Sequence, residues 1–180
     1  MDPIDLQFWG VVGTWVASIG TVGAVITSLW FAIHQNTVKL KVSVGVRTLV
    51  TPGQTDLPEY CSIQVANIGH RPAKITNVSW QVRRWRTRKK WLQTFGFSEF
   101  DDIPKMLAEG EEASFMIPLN QFGNDDDWIV SFPKYLVGDD DPRLIKSLKV
   151  GIHTSVGQSF YSKAENGLIE ALVEAYEANK

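Results

Sequence analysis

The sequence predicts a mainly β protein: an N-terminal transmembrane helix, then a β-sandwich, then a C-terminal amphipathic helix. Three observations lead there. The stretch from Leu6 to Ile33 carries no charged residue and is mostly Val, Ile, Ala, Gly, Leu, Phe and Trp; about 20 such residues cross the ~30 Å hydrocarbon layer of a bilayer. Residues 38–163 contain about seven short strand-like runs separated by turn residues, the pattern of a sandwich. Residues 165–179 place Leu168, Ile169, Leu172, Val173 and Tyr176 on one helical face and Glu170, Glu174 and Glu177 around the rest. The expected division is a tail and anchor over 1–37, a sandwich over 38–164, and a helix over 165–180 packed on or beside it.

The anchor has the marks of a retained span. Trp9 lies near one end and Trp30 with Phe31 near the other, where amphipathic rings favour the headgroup level. A cleaved signal peptide has a positive start and a shorter apolar core, whereas this chain opens Met-Asp-Pro-Ile-Asp. Asp2 and Asp5 precede the helix and Lys39, Lys41 and Arg47 follow it, so the positive-inside bias predicts an outside N-terminus and a cytoplasmic C-terminal domain. Gly10, Gly13, Ala17, Gly20, Ala24 and Thr27 recur at spacings of three and four residues, which aligns them on one helix face, broadened by Thr14, Ser18, Thr21 and Ser28. Small residues let helices approach closely in lipid, so the stripe predicts packing on another membrane helix, a second copy or a different protein.

Beyond the anchor, Val38, Leu40, Val42, Val44 and Val46 alternate with Lys39, Lys41, Ser43, Gly45 and Arg47, the period of a half-buried strand. Pro52-Gly53 turns the chain, and Tyr60–Ala66 follows with Cys61, Ile63 and Val65 inward and Ser62 and Gln64 outward. Cys61 therefore reads as a small core residue. Asn67-Ile-Gly-His-Arg-Pro72 is a turn cluster in which Asn67 and Gly69 tolerate positive φ. Ala73–Trp85 is a strand with Ile75, Val78, Trp80 and Val82 on one face and a bulge near Asn77, and Trp91–Phe97 is its expected hairpin mate. Ile103–Glu111 reads as an approach and tight turn before a strand carrying Ala113, Phe115 and Ile117 inward. Residues 120–147 read as a long polar insert; Leu148–Thr154 and Gln158–Lys163 close the domain around Gly157.

A strand, Asn67-x-Gly69 with Pro72-Ala73, another strand, and later Leu107-Ala-Glu-Gly110-Glu111 leading into a strand together resemble bacterial immunoglobulin-like sandwich domains. With its Trp- and Gly-rich anchor, the whole chain resembles small single-pass proteins of bacterial and prophage genomes, most without a known activity. The resemblance implies an immunoglobulin-like fold and a non-catalytic role, and it transfers no site residue.

The formal charge of −2 excludes the broad basic character of a nucleic-acid coat protein. One cysteine permits neither an internal disulfide nor a thiolate metal cluster within the chain. The densest charge feature is Arg83-Arg84-Trp85-Arg86-Thr87-Arg88-Lys89-Lys90-Trp91, expected at a hairpin tip between Val82 and Leu92. Three readings stand for it: a solvated loop, a contact for anionic lipid or an acidic protein surface, or a nucleic-acid contact in which the aromatics stack on bases. Asp101-Asp102, Asp125-Asp126-Asp127 and Asp139-Asp140-Asp141 lack the alternating ligand spacing of a calcium loop and read as solvated segments. His34, His70 and His153 form no paired spacing, and neither a Gly-x-Ser-x-Gly nor a phosphate-loop motif occurs. No catalytic residue, cofactor or metal ligand is therefore expected.

The functional expectation is a non-enzymatic, inner-membrane-anchored module that binds a protein partner in the cytoplasm; phage exclusion or antiphage defence would suit the resemblance. Two alternatives stand beside it. One is a membrane-proximal sensor or a nucleic-acid- or anionic-lipid-binding module using the Arg83–Lys90 tip. The other is a periplasmic adhesion-like sandwich of opposite topology.

Overall fold

The computed structural model describes residues 3–35, 37–50, 52–53, 57–84, 87–95, 103–120, 127–138 and 141–179. The chain divides into two compact units, Met1–Thr37 and Val38–Lys180. The first is one helix, α1 (Pro3–Gln35), whose span Gln7–Ile33 is long and apolar enough to cross a membrane and has no residue buried within the chain.

The second unit is mixed α/β. Antiparallel strands β1 (Leu40–Thr48), β2 (Glu59–Asn67) and β6 (Glu112–Pro118) form one sheet in the order β1-β2-β6. The other sheet runs β4-β3-β7-β8, from β3 (Ala73–Arg84), β4 (Thr87–Gln93), β7 (Lys149–Thr154) and β8 (Ser159–Lys163), with β5 (Lys105–Leu107) paired to the start of β3. Both sheets contribute to a single core: Val44, Cys61, Ile63 and Val65 from one, Ile75, Val78, Trp80, Val150 and Ile152 from the other. Along β1 the expected inward Leu40 and Val44 are buried and Val42 and Val46 only partly so, while Gly45, expected outward, is buried as well; along β6 Ala113, Phe115 and Ile117 are buried as expected. Burial also pushes the Cys61 thiol far above its ordinary range, which makes it a packing residue rather than a nucleophile.

Several expectations need correction. The domain is not mainly β over its whole length, because the insert taken as polar contains α2 (Trp128–Val137) and a 3-10 helix (Pro142–Ser147). Its apolar residues, too few and too irregular to announce a helix in sequence, find their partner in Trp80. The Trp128 and Phe132 rings stack at 4.3 Å, and Phe132 reaches the Trp80 ring at 5.1 Å. Asp127, read as solvated, is buried where α2 begins. Asp141 is exposed, and its side chain accepts a hydrogen bond from the Arg143 N–H at the start of the 3-10 helix. The remaining acidic residues, 101–102, 125–126 and 139–140, lie outside the described residues. Ser62, expected outward, is buried opposite Gly45. The segment read as an approach before Ala113 includes the short strand β5.

The turn after β2 also works differently from the expectation. Neither Asn67 nor Gly69 has positive φ; the described positive-φ positions are Gly53, Gly110, Gly138 and Gly157. Instead the buried Asn67 side chain acts as the turn's staple. Its Nδ2 donates to the carbonyls of Arg71, Leu107 and Ala108, and its Oδ1 accepts from the Gly69 N–H. Its backbone exchanges further bonds with Glu111 and Gly110, so one side chain ties the 67–72 turn to the β5–β6 connection.

The C-terminal helix α3 (Asn166–Ala178) buries Leu168, Ile169 and Leu172 and packs on α2 and β1. Glu165, at its N-cap, makes no side-chain cap because its carboxylate takes a two-pronged pair with Arg47, both contacts 2.9 Å. That hydrogen bond lowers the Glu165 pKa and raises that of Arg47. Gly45 leaves room for the pair, since a Cβ there would collide with the Glu165 carboxylate. Exposed pairs contribute roughly 0.2–1 kcal/mol, so the pair orients α3 more than it stabilises it.

Replacing Asn67 with Ala would strip hydrogen-bond donors from three carbonyls at once. An expected loss of about 2–4 kcal/mol is measurable by urea unfolding of the detergent-solubilised chain through tryptophan fluorescence. A loss below about 1 kcal/mol would mean those carbonyls find water and the staple is dispensable.

Candidate functional site

Alternation along β3 sends Val78, Trp80 and Val82 into the core and Ser79, Gln81 and Arg83 to the opposite face of the sheet. Strand register then decides what stands beside them. Gln81 pairs with Lys90 of β4 and with Lys149 of β7, and Lys149 pairs with Lys163 of β8. Directly paired residues project to one side, so Lys90, Gln81, Lys149 and Lys163 form a row across four strands. Two residues along, Arg83 stands opposite Arg88. All five cationic side chains are exposed, and among the described residues none is paired with a carboxylate. Like charges directly opposed across a ladder disfavour the sheet, so the cluster is one that an anion would relieve.

The next row in the other direction is Leu92, Ser79, Gly151 and Tyr161. The Lys90 ammonium lies 5.8 Å from the centre of the Tyr161 ring and 3.5 Å from its hydroxyl. Beyond it, His153 bridges two serines, Nε2 to Ser79 Oγ and Nδ1 to Ser159 Oγ, each at 2.8 Å. A neutral ring, one nitrogen donating and the other accepting, satisfies both hydroxyls. Burial first, and then the positive Lys90, lower the His153 pKa and favour that neutral form.

The sequence-marked basic run is thus divided. Arg83, Arg88 and Lys90 lie on the open face; Lys89 and Trp91 project to the other side, with Trp91 packed against the core. The expected long tip shrinks, because β4 begins at Thr87 rather than Trp91. Trp85, Arg86 and the Arg84 side chain lie outside the described residues. Sequence reasoning missed Gln81, Lys149, Tyr161 and Lys163. The alternation Lys149-x-Gly151-x-His153 and Ser159-x-Tyr161-x-Lys163 marks a polar face, but only the register places it beside β3. Among the described residues, no group of three His, Cys, Asp or Glu side chains is placed to hold a metal ion.

In the N-terminal unit, the stripe Gly10, Gly13, Ala17, Gly20, Ala24 and Thr27 lies on the exposed surface of α1, and a Cβ added at Gly10, Gly13 or Gly20 meets nothing within 4 Å. Its hydroxyls are already engaged. Thr14, Ser18, Thr21, Thr27 and Ser28 each donate to the carbonyl four residues earlier, at 2.7–2.9 Å. What remains for a neighbouring helix is close van der Waals approach and the oxygen lone pairs.

No protein-family model matches the sequence, and no curated protein matches it. Solved structures offer distant similarities. A Bordetella pertussis protein provisionally named ApaA is 17% identical, with 70% of this chain and 88% of that one covered at a TM-score of 0.30. A second structural genomics target is 9% identical, covering 73% and 84%, also at 0.30. Likenesses this low carry no argument about fold or activity.

The depressed His153 pKa fixes a sign. The unfolded chain takes up the imidazole proton first as pH falls, so stability present at neutral pH declines through the ordinary histidine range, near pH ~6.5. His153→Gln should flatten that part of the pH dependence of the urea midpoint; an unchanged profile would mean the ring is not held neutral. For the anchor, Leu at Gly13, Ala17, Gly20 and Ala24 should weaken helix association in membranes on the order of tenfold, read by cross-linking. Undiminished association would remove the packing role.

Proposed function

We propose that this protein is a single-pass, non-enzymatic membrane protein whose folded domain binds an anionic partner through the basic face of β4, β3, β7 and β8. The observation that carries the reading is the gathering of Arg83, Arg88, Lys90, Lys149 and Lys163 from four strands on one face, in a chain of net charge −2. Such a concentration of one sign on an otherwise acidic chain attracts anions locally and steers them by long-range field.

The apolar span supports a retained anchor, and the flanking charges support an outside N-terminus and a cytoplasmic domain at the bacterial inner membrane. The two antiparallel sheets and their shared core support an immunoglobulin-like sandwich; an experimental structure in which they do not pack face to face would remove that assignment. The open small-residue face of α1 supports docking on another membrane helix. A setting in phage exclusion or antiphage defence follows from the resemblance alone; challenge of a deletion strain with phage is its test.

Two measurements decide the main reading. Replacing Arg83, Arg88, Lys149 and Lys163 with Gln should abolish salt-sensitive binding to acidic polypeptide, nucleic acid or anionic vesicles while leaving the circular dichroism spectrum unchanged. Retained binding would reject the face. A cytoplasm-specific reporter fused after the last residue should be active; activity of a periplasm-specific reporter in its place would favour the adhesion-like alternative, and recovery of a mature chain lacking α1 would make the helix a leader.

A further inference from the structure

The basic face contains a cavity of about 160 Å³ lined by Gln81, Arg83, Arg88, Ser147, Lys149 and Tyr161. Its walls are held from several directions. The Arg83 N–H donates to Ser147 Oγ at 3.1 Å, and that hydroxyl donates to the Leu144 carbonyl at 2.8 Å, which ties the end of β3 to the 3-10 helix. Across the sheet the Tyr161 ring lies close over Gly151, where a Cβ would come within 2.6 Å of it. Three of the lining residues are cations from three strands.

One detail separates this cavity from a generic basic patch. Gln81 is 9% exposed, and its Oε1 is buried without a hydrogen-bond partner. A buried carbonyl oxygen without a donor is a rare and unfavourable arrangement. It stands in the row between Lys90 and Lys149, where an anion is attracted, yet it is itself an acceptor and a fully ionised anion cannot satisfy it. A ligand that suits the whole cavity therefore carries acceptor oxygens for the cations and, a few bonds away, a donor for Gln81.

Resting on the basic-face reading, we propose that this cavity binds a phosphorylated polyol, its phosphoryl oxygens on Arg83, Arg88 and Lys149 and a neighbouring hydroxyl donating to Gln81 Oε1. Guanidinium forks match phosphoryl oxygens in geometry, and two of them opposed across β3 and β4 provide a clamp. The volume agrees with this size of ligand. Cavities for whole drug-sized molecules occupy about 300–1,000 Å³, so this one takes a phosphoryl group with a short polyol and leaves anything larger to extend over the open face. The same chemistry occurs in soluble sugar and glycerol phosphates and in the headgroup of phosphatidylglycerol.

The test is calorimetric titration of the full chain in phosphatidylcholine nanodiscs with glycerol 3-phosphate and, as the matched ester without hydroxyls, propyl phosphate. Glycerol 3-phosphate should bind at least about tenfold more tightly, because a site with a buried acceptor rejects the analogue that leaves it unpaired. Gln81→Met, which keeps volume and fold, should erase that preference while propyl phosphate binding persists; Arg83→Gln should weaken both esters about tenfold or more. Equal affinity for the two esters, or a preference untouched by Gln81→Met, overturns the proposal. If neither ester binds while acidic polypeptide still binds in a salt-sensitive way, the cavity assignment fails and the basic face survives. If no anion binds, both fail. Repeating the titration in phosphatidylglycerol nanodiscs separates the sources: unchanged binding supports a soluble ligand, and suppressed binding supports the lipid headgroup filling the same cavity.

Discussion

The pleat of a β-strand sends consecutive side chains to opposite faces, and in this domain β3 is where that constraint does most. It is paired with β4, β5 and β7, so whatever its two faces carry is placed at the centre of the larger sheet. One face holds Val78, Trp80 and Val82, around which Trp128 and Phe132 bring α2 into the core. The other holds Ser79, Gln81 and Arg83. A shift of register by one residue would exchange these sets, burying a guanidinium and exposing a tryptophan, so the packing of Trp80 fixes the position of the basic row as firmly as it fixes the core. The bulge between Ile75 and Asn77 sits upstream of both sets and brings the remaining length of β3 into phase with β7.

Much of this order was legible in the chain. The alternation in Val38–Val46, the inward Cys61, Ile63 and Val65, the bulge near Asn77 and the amphipathic C-terminal helix are local patterns, and local patterns are what periodicity records. What escaped was non-local. The segment around Trp128 buries its apolar residues against Trp80 and against α3, both far away in sequence, and Pro133 inside it argues against a helix when the segment is read alone. Asn67 looked like a residue of permissive backbone, whereas its contribution comes from carbonyls some forty positions away.

The candidate site divides along the same line. The run of basic residues was visible as a cluster, but a cluster in sequence mixes both faces of a hairpin. Separating Arg83, Arg88 and Lys90 from Lys89 and Trp91 takes the strand register, and adding Lys149, Lys163 and Tyr161 takes the order β4-β3-β7-β8. Gln81 was the least visible of all. An uncharged residue inside an apolar strand becomes notable only once its neighbours on both sides are lysines and its oxygen is found without a donor.

Gly151 has a wider consequence. It holds no charge and has no side chain of its own, yet the Tyr161 ring and Ser79 hydroxyl occupy the space a methyl group would need, at 2.6 and 2.7 Å. Position 151 acts as a mould for its neighbours. Even the smallest enlargement there would lift the aromatic wall away from the sheet and reshape the basic hollow beside it without altering a single charged residue. The tolerance of this face to sequence change is therefore narrowest at a residue that no inventory of ligand-touching groups would include.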